Sequence, residues 1–394
     1  MLFLSIFFAT LANHSGATIY ISLFFLIAHV ALSGRLRELI KLPIKSYFIA
    51  FLFVIVSALL FLFGIPEYQP AQEFVDAFSA NFAKYILLIL LVYFYAHVYN
   101  TFREKFINTV HYVLLFHVAL FSIQFVVAYG TGYYIDYVAP FTGEVSRYKI
   151  YGVESIDGLY RCTGFYIEPS TYAVSIFSLS VILISSDFDR YKKSIIISSI
   201  SILMSLSTIS FLIVILYWGL YFIRRYFSVK YLPIVLIGVP LLLFLVSQSN
   251  LYKIQIEKAT NTSGIRFALL DAVLERPPSL MIMGSGLYAI ERTITDGSKG
   301  SCMEGSDCST QINREYASPS DSGLLVYLFI KFGIFSMPIL LYIILPFISD
   351  YSKMSGVFVI LLTKIQFAFP LIWLVVIVFR AKNEKNHRNH KLAS

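Results

Sequence analysis

Apolar runs of membrane-spanning length recur along almost the whole of this 394-residue chain, and short basic clusters separate them. A run of about 20 apolar residues crosses a hydrocarbon core as a helix, because a helix satisfies its backbone N–H and C=O groups without water. Hydrophobic residues make up 58% of the chain and the mean hydropathy is +0.74, with no long soluble block. These features predict an all-α polytopic membrane protein: one integral-membrane domain over 1–379 and a solvated basic cytoplasmic tail over 380–394.

The net charge of +8 does not mark a nucleic-acid binder. The positive residues sit at the ends of apolar runs rather than along one face: Arg35, Arg37, Lys41 and Lys45; Arg103 and Lys105; Arg190, Lys192 and Lys193; Arg224, Arg225 and Lys230; and the tail from Arg380 to Lys391. Such clusters mark cytoplasmic loops under the positive-inside rule. The first residues carry no basic segment ahead of the apolar run, which reads as an uncleaved membrane helix rather than a signal peptide.

With those clusters inside, the topology follows. Segments 1–13 and 17–33 form a tight pair, 47–65 goes out, 82–98 returns and 106–129 goes out to a first large outer loop, 130–171. Segment 171–186 returns, 194–223 is a hairpin bent near Ser205 to Ser210, and 231–247 leads to a second large outer loop, 248–322. Segment 322–348 returns. The last apolar stretch, 356–379, is read as a hairpin near Thr363-Lys364, because a single crossing would strand the basic tail outside. Each arm would hold about 12 residues, roughly 18 Å of helix. The count is about 11–12 transmembrane helices.

Polar chemistry is confined to the two outer loops. In the first, Arg161 precedes Gly164 and Glu168-Pro169-Ser170, after which an apolar helix begins. Proline suits the first helical position, so the helix is expected to start at Pro169 with Glu168 at its mouth, either as a plain cap or as a working carboxylate. In the second loop, Ser263-Gly264 opens IRFALLDAVLER, whose apolar residues fall at helical spacing. That is a short amphipathic helix on the outer surface, capped by Ser263 and ended by Pro277-Pro278. Arg266 falls in its first turn. A cation opposes the helix dipole there unless an anion binds alongside; the alternative is an arginine reaching the headgroups. Ser320, Asp321 and Ser322 precede a third outward-facing helix start, where Asp321 is a cap or a second carboxylate.

Two arginines, two carboxylates and three helix N-termini on one side of the membrane suit a phosphate-bearing, carbohydrate-like substrate presented from the lipid. Arginine clamps diphosphate bidentately and stays charged, and a carboxylate takes a proton from a sugar hydroxyl. Tyr133, Tyr134, Tyr137, Tyr148, Tyr151, Tyr160 and Tyr166 could stack on sugars or form an interfacial belt. Lys331 falls within a span, facing a polar cavity or reaching for the surface. His97, His111 and His117 read as core residues. All three cysteines lie in the outer loops. The short segment Cys302 to Cys308 is consistent with a disulfide in an oxidising compartment, and Cys162 is expected to stay free. The Gly and Ser around them speak against a metal.

In order, these elements resemble the O-antigen ligase/polymerase superfamily, which includes the Wzy-type polymerases. The shared pattern is Arg161, Gly164 and Pro169; the Ser-rich hairpin at Ser205 to Ser210; Ser263, Gly264, Arg266, Gly284 and Gly286; then Ser322 to Leu325 and Phe332 to Ile334. The resemblance implies a GT-C-like fold with two large periplasmic loops in a bacterial inner membrane, with the active site on the periplasmic side. It implies O-antigen or related surface-polysaccharide polymerisation, a step of lipopolysaccharide biosynthesis. The donor would be an undecaprenyl-pyrophosphate-linked oligosaccharide, with no cofactor, and the partners membrane lipids and a chain-length regulator. Arg161 and Arg266 would hold the pyrophosphate, Glu168 or Asp321 would act as base, and Tyr160, Tyr166 and Ser320 would line the sugar. The ligases of the superfamily carry a catalytic histidine where this chain has Ser320-Asp321-Ser322. That difference favours polymerase over ligase; a lipid-linked glycan flippase is the alternative from another class.

Overall fold

The computed structural model describes residues 1–11, 16–35, 50–52, 54–59, 72–148, 160–226, 273–288, 323–345, 351–363 and 365–380. Arg266, Ser263, Gly264, Ser320, Asp321, Ser322, Cys302 and Cys308 lie outside them, as does Tyr151. The described residues with regular structure are helical. Four helical segments among them are long and apolar enough to cross a membrane: 81–101, 103–131, 169–204 and 324–344.

The chain opens with two short helices, α1 (Leu2–Thr10) and α2 (Ala17–Leu32). They run antiparallel, as the sequence predicts: the Ser5 hydroxyl donates to Ser22 O at 2.8 Å, and the Ser22 hydroxyl returns a bond to Ser5 O at 2.8 Å. Small serines allow that approach in an apolar setting. The Tyr95 hydroxyl, from α3 (Gln72–Thr101), meets Ser5 Oγ at 2.7 Å and Ser22 Oγ at 3.0 Å and ties the pair to the bundle.

Helix α4 (Arg103–Thr131) follows α3 after a one-residue break at Phe102 and ends on Gly132 in the left-handed conformation, a common helix stop. After a short turn, α5 (Ala139–Thr142), comes the helical segment α6 (Pro169–Met204). It is not one rod. Asp187 is extended (φ −163°, ψ 96°), the Tyr172 hydroxyl donates to Ser201 Oγ at 2.8 Å, and Ser180 Oγ meets Ser198 Oγ at 2.9 Å. In a straight helix residues 172 and 201 would stand roughly 43 Å apart. The chain therefore folds back at Asp187 into two arms, 169–186 and 188–204. A second reversal leads into α7 (Thr208–Tyr226). Ser205 Oγ and Ser210 Oγ sit 2.7 Å apart, Leu206 is left-handed (φ 52°), and Trp218 Nε1 donates to Ser199 Oγ at 3.0 Å. This is the expected Ser-rich hairpin.

Among the described residues, Arg35, Arg103 and Arg190, from three of the basic clusters, lie at one end of this bundle. The Arg35 guanidinium lies 5.0 Å from the Phe102 ring, and Arg190 reaches Glu104 at 3.2 Å and Asn108 at 3.2 Å. Gly132 and the described loop residues 133–148 and 160–168 occupy the opposite end of α4. The antiparallel course of α4 and the first arm of α6 is thus fixed at both ends.

The C-terminal part departs from the sequence reading at one point. Residues 322–348 read as one span, but the helix breaks. Helix α8 (Pro278–Met283) packs beside the junction of α9 (Leu324–Phe332) and α10 (Ser336–Ile344), where a single 3₁₀ turn, Gly333–Phe335, intervenes. Gly333 is left-handed (φ 54°), and Pro338 fits in the first turn of α10, where its missing N–H costs nothing. Helix α11 (Tyr351–Leu361) then rises to Thr363, whose carbonyl accepts the Leu324 N–H at 3.0 Å. A final helix, α12 (Pro370–Arg380), runs back. Arg380 Nη2 donates to Tyr342 O at 3.1 Å, and the Tyr99 hydroxyl donates to Val378 O at 3.4 Å. Residue 380 therefore emerges at the basic end, as the shallow hairpin requires.

Candidate functional site

The first loop is built on a buried amide. Gln124 lies in the last third of α4 with no exposed surface. Its Oε1 accepts the N–H groups of Thr163 at 2.9 Å and Gly164 at 2.8 Å, and its Nε2 donates to Ile135 O at 2.7 Å. One side chain thus holds both ends of the loop to the helix. A polar residue placed this deep in an apolar span needs such partners.

Asp136 organises the outer half. Its carboxylate accepts the N–H groups of Val138 at 2.9 Å, Ala139 at 3.0 Å and Ser146 at 2.7 Å. Burial works against its charge, but those hydrogen bonds outweigh it and hold the pKa below the ordinary value. The far side of the loop closes through two backbone bonds: Arg147 N–H to Ile167 O at 2.7 Å and Arg161 N–H to Tyr148 O at 2.8 Å. Tyr134 and Tyr148 stack with ring centroids 4.0 Å apart, and Tyr160 lies 6.2 Å from each. Burial pushes the Tyr134 phenol up to about 12.

These contacts set Glu168 and Arg161. Pro169 begins the helix as predicted, with Glu168 extended at the N-cap position, but the Glu168 side chain makes no capping bond. Its Oε1 pairs with Arg147 Nη1, and its Oε2 accepts the Ser170 hydroxyl at 3.0 Å. Arg147 also lies 3.7 Å from Glu144. Arg161 has a different environment. Its Nε is buried without a hydrogen-bond partner, and among the described residues no carboxylate lies within ion-pairing distance of it. Burial lowers its pKa to about 10; Glu168 and Tyr134 pull the other way, and the Arg147 charge adds to the fall. It remains a cation at neutral pH, partly desolvated and incompletely neutralised.

Arg161 and Glu168 act on each other electrostatically, and the sequence did not single out the residues that arrange them. Arg147 is the other arginine of the first loop, and Gln124 is a glutamine inside an apolar span; both were legible as polar residues, not as partners. The tyrosines divide. Tyr160 is half-buried and donates to Gly132 O at 2.6 Å. Tyr166 is fully buried, its ring 5.3 Å from His117 and 6.0 Å from Tyr172, so it has no face to offer a sugar. Its aromatic neighbours enclose the ring away from the loop surface. Cys162 is buried and free, and burial raises its thiol pKa to about 12, so it stays protonated.

The second loop is described only from Val273 to Tyr288. The Pro277-Pro278 pair ends one helical turn and starts another, with Pro278 at the first position of α8. Gly284 and Gly286 then lie against the break in the last long span: Ser285 N–H donates to Ile330 O at 3.0 Å and Gly286 N–H to Lys331 O at 2.8 Å. Lys331 is buried, its ammonium 5.6 Å from the Tyr327 ring. Among the described residues no group of His, Cys, Asp and Glu could hold a metal ion.

No protein-family model, curated protein or solved structure matches this chain.

Proposed function

We propose that the chain is a membrane glycosyltransferase that polymerises O-antigen or a related surface polysaccharide at the periplasmic face of a bacterial inner membrane. The donor is a glycan carried on a polyprenyl diphosphate, and the acceptor is a hydroxyl of a new lipid-linked repeat unit. The observation that carries the reading is Arg161: a cation in the loop, partly desolvated, with a buried Nε that lacks a partner. A diphosphate leaving group gains charge as the glycosidic C–O bond breaks, and a guanidinium already stripped of water stabilises that charge well.

Arg266 completes the clamp from the second loop, and Asp321 takes the proton of the attacking hydroxyl. Glu168 is better suited to positioning, since both its oxygens are already engaged by Arg147 and Ser170. The stacked Tyr134, Tyr148 and Tyr160 wall the loop beside Arg161. The test is the length of surface polysaccharide in cells whose only copy carries Arg161→Ala. Single repeat units on lipopolysaccharide are expected. Polymer of normal length from a normally abundant variant would refute the reading, and complete loss of glycan on lipopolysaccharide would point to a ligase.

A further inference from the structure

Arg276 lies in the second loop, apart from the first-loop site. It follows Glu275, which is solvent-exposed and does not pair with it, and it precedes Pro277. Its side chain is buried, with 8% of its surface exposed. Nη1 donates to Ile330 O at 3.0 Å, a carbonyl in the turn before the helix break that also accepts the Ser285 N–H and hydroxyl, the latter at 2.9 Å. Nε and Nη2 are buried and have no hydrogen-bond partner. These two nitrogens form one edge of the guanidinium plane, the edge that takes two oxygens of a phosphate or carboxylate side-on. Leaving charged donors buried and unmet is costly, so an occupant is expected.

The surroundings narrow the occupant. The neighbouring Ile282, Met283, Ile334 and Phe335 are exposed and apolar, a surface for lipid rather than water in a membrane protein. Lys331, next to Ile330, is also buried, but its ammonium is turned back along α9, 5.6 Å from the Tyr327 ring. An unmet guanidinium edge behind an apolar, lipid-exposed rim suits an anionic phosphate ester attached to a hydrocarbon chain.

We infer that the Nε–Nη2 edge of Arg276 is a binding site for the phosphate of a membrane-borne phosphate ester, seated against the break between α9 and α10. The source is a phospholipid or an isoprenoid diphosphate. The inference is independent of the role given to Arg161.

The test uses the full-length protein in a maltoside detergent, which carries no phosphate. Thermal unfolding is followed with farnesyl diphosphate, dioleoyl phosphatidylglycerol or uncharged farnesol. The wild type is expected to gain several degrees with at least one phosphate probe and nothing with farnesol. Arg276→Gln is expected to lose that gain, and Arg276→Lys, which keeps the charge but not the two-toothed edge, to need at least tenfold more ligand. A response to farnesyl diphosphate alone assigns the site to an isoprenoid carrier; a response to phosphatidylglycerol assigns it to a structural lipid. A wild type that no phosphate probe stabilises, or an Arg276→Gln protein stabilised as much as wild type, overturns the inference. Arg161→Gln, run alongside, reports separately on the first-loop cation.

Discussion

Arg147 and Glu168, 21 residues apart, pair across the foot of the first loop, so the carboxylate at the start of the 169–186 arm is shared between the loop's Arg147 and the Ser170 hydroxyl of the helix it precedes, and does not cap that helix. The pair is partly shielded, with side-chain exposures of 27% and 23%. Its strength should therefore fall between exposed and buried ion pairs, about 1–2 kcal/mol. Arg147→Leu and Glu168→Gln are each expected to lower the unfolding midpoint, and the double variant should be little worse than either single one. Additive losses in a double-mutant cycle would show that the two side chains do not act together.

Gln124 should be the most sensitive residue of the loop's foundation. Gln124→Leu keeps the helix and nearly the volume but removes three bonds and leaves the N–H groups of Thr163 and Gly164 buried and unmet. A loss of about 2–4 kcal/mol is expected, together with faster proteolysis between residues 133 and 168. Limited digestion with mass mapping checks both the site and the rate.

The loop should also loosen in acid through Asp136. Its folded pKa lies below the ordinary 3.8. The stabilisation is therefore complete above the unfolded value and is lost as pH falls through the lower folded one. The difference in unfolding midpoint between wild type and Asp136→Asn, full at pH 6, is expected to shrink steadily as the pH falls below that ordinary value. A difference that stays constant with pH would remove the carboxylate's charge from the account.

The break in the last long span depends on two glycines. A Cβ on Gly284 would stand 2.4 Å from the Lys331 backbone, and one on Gly333 would stand 2.4 Å from Ile282 O. Backbone cannot yield as a side chain does, so alanine at either site is expected to cost about 3 kcal/mol or more. Gly286→Ala is the control. It is left-handed too (φ +85°), but nothing lies within 4 Å of the added carbon, and it should cost only about 1–2 kcal/mol. Expression and unfolding midpoints of the three variants would rank them.

The membrane class, the hairpin at Ser205 to Ser210 and the return of residue 380 to the basic end were all legible, because apolar period and Lys/Arg placement act along the chain and need no partner to be read. The start of the helix at Pro169 was legible for the same local reason. What could not be read was pairing. Glu168 looks like a cap until Arg147 is seen to claim it, and Tyr166 looks like a loop tyrosine until His117 and Tyr172 enclose it. The break at Gly333 was hidden by the apolar residues on both sides, Ile330 and Ile334 among them, which carry the hydropathy of an unbroken span.

The central claim is that Arg161 holds a diphosphate. It is tested most directly by titrating the purified protein, in phosphate-free detergent, with a short polyprenyl diphosphate carrying one sugar repeat, for wild type and Arg161→Gln. A charge-assisted bidentate contact contributes about 1.5–3 kcal/mol, so the variant is expected to bind roughly 10- to 100-fold more weakly with its unfolding midpoint preserved. Equal affinity in the two proteins would contradict the account.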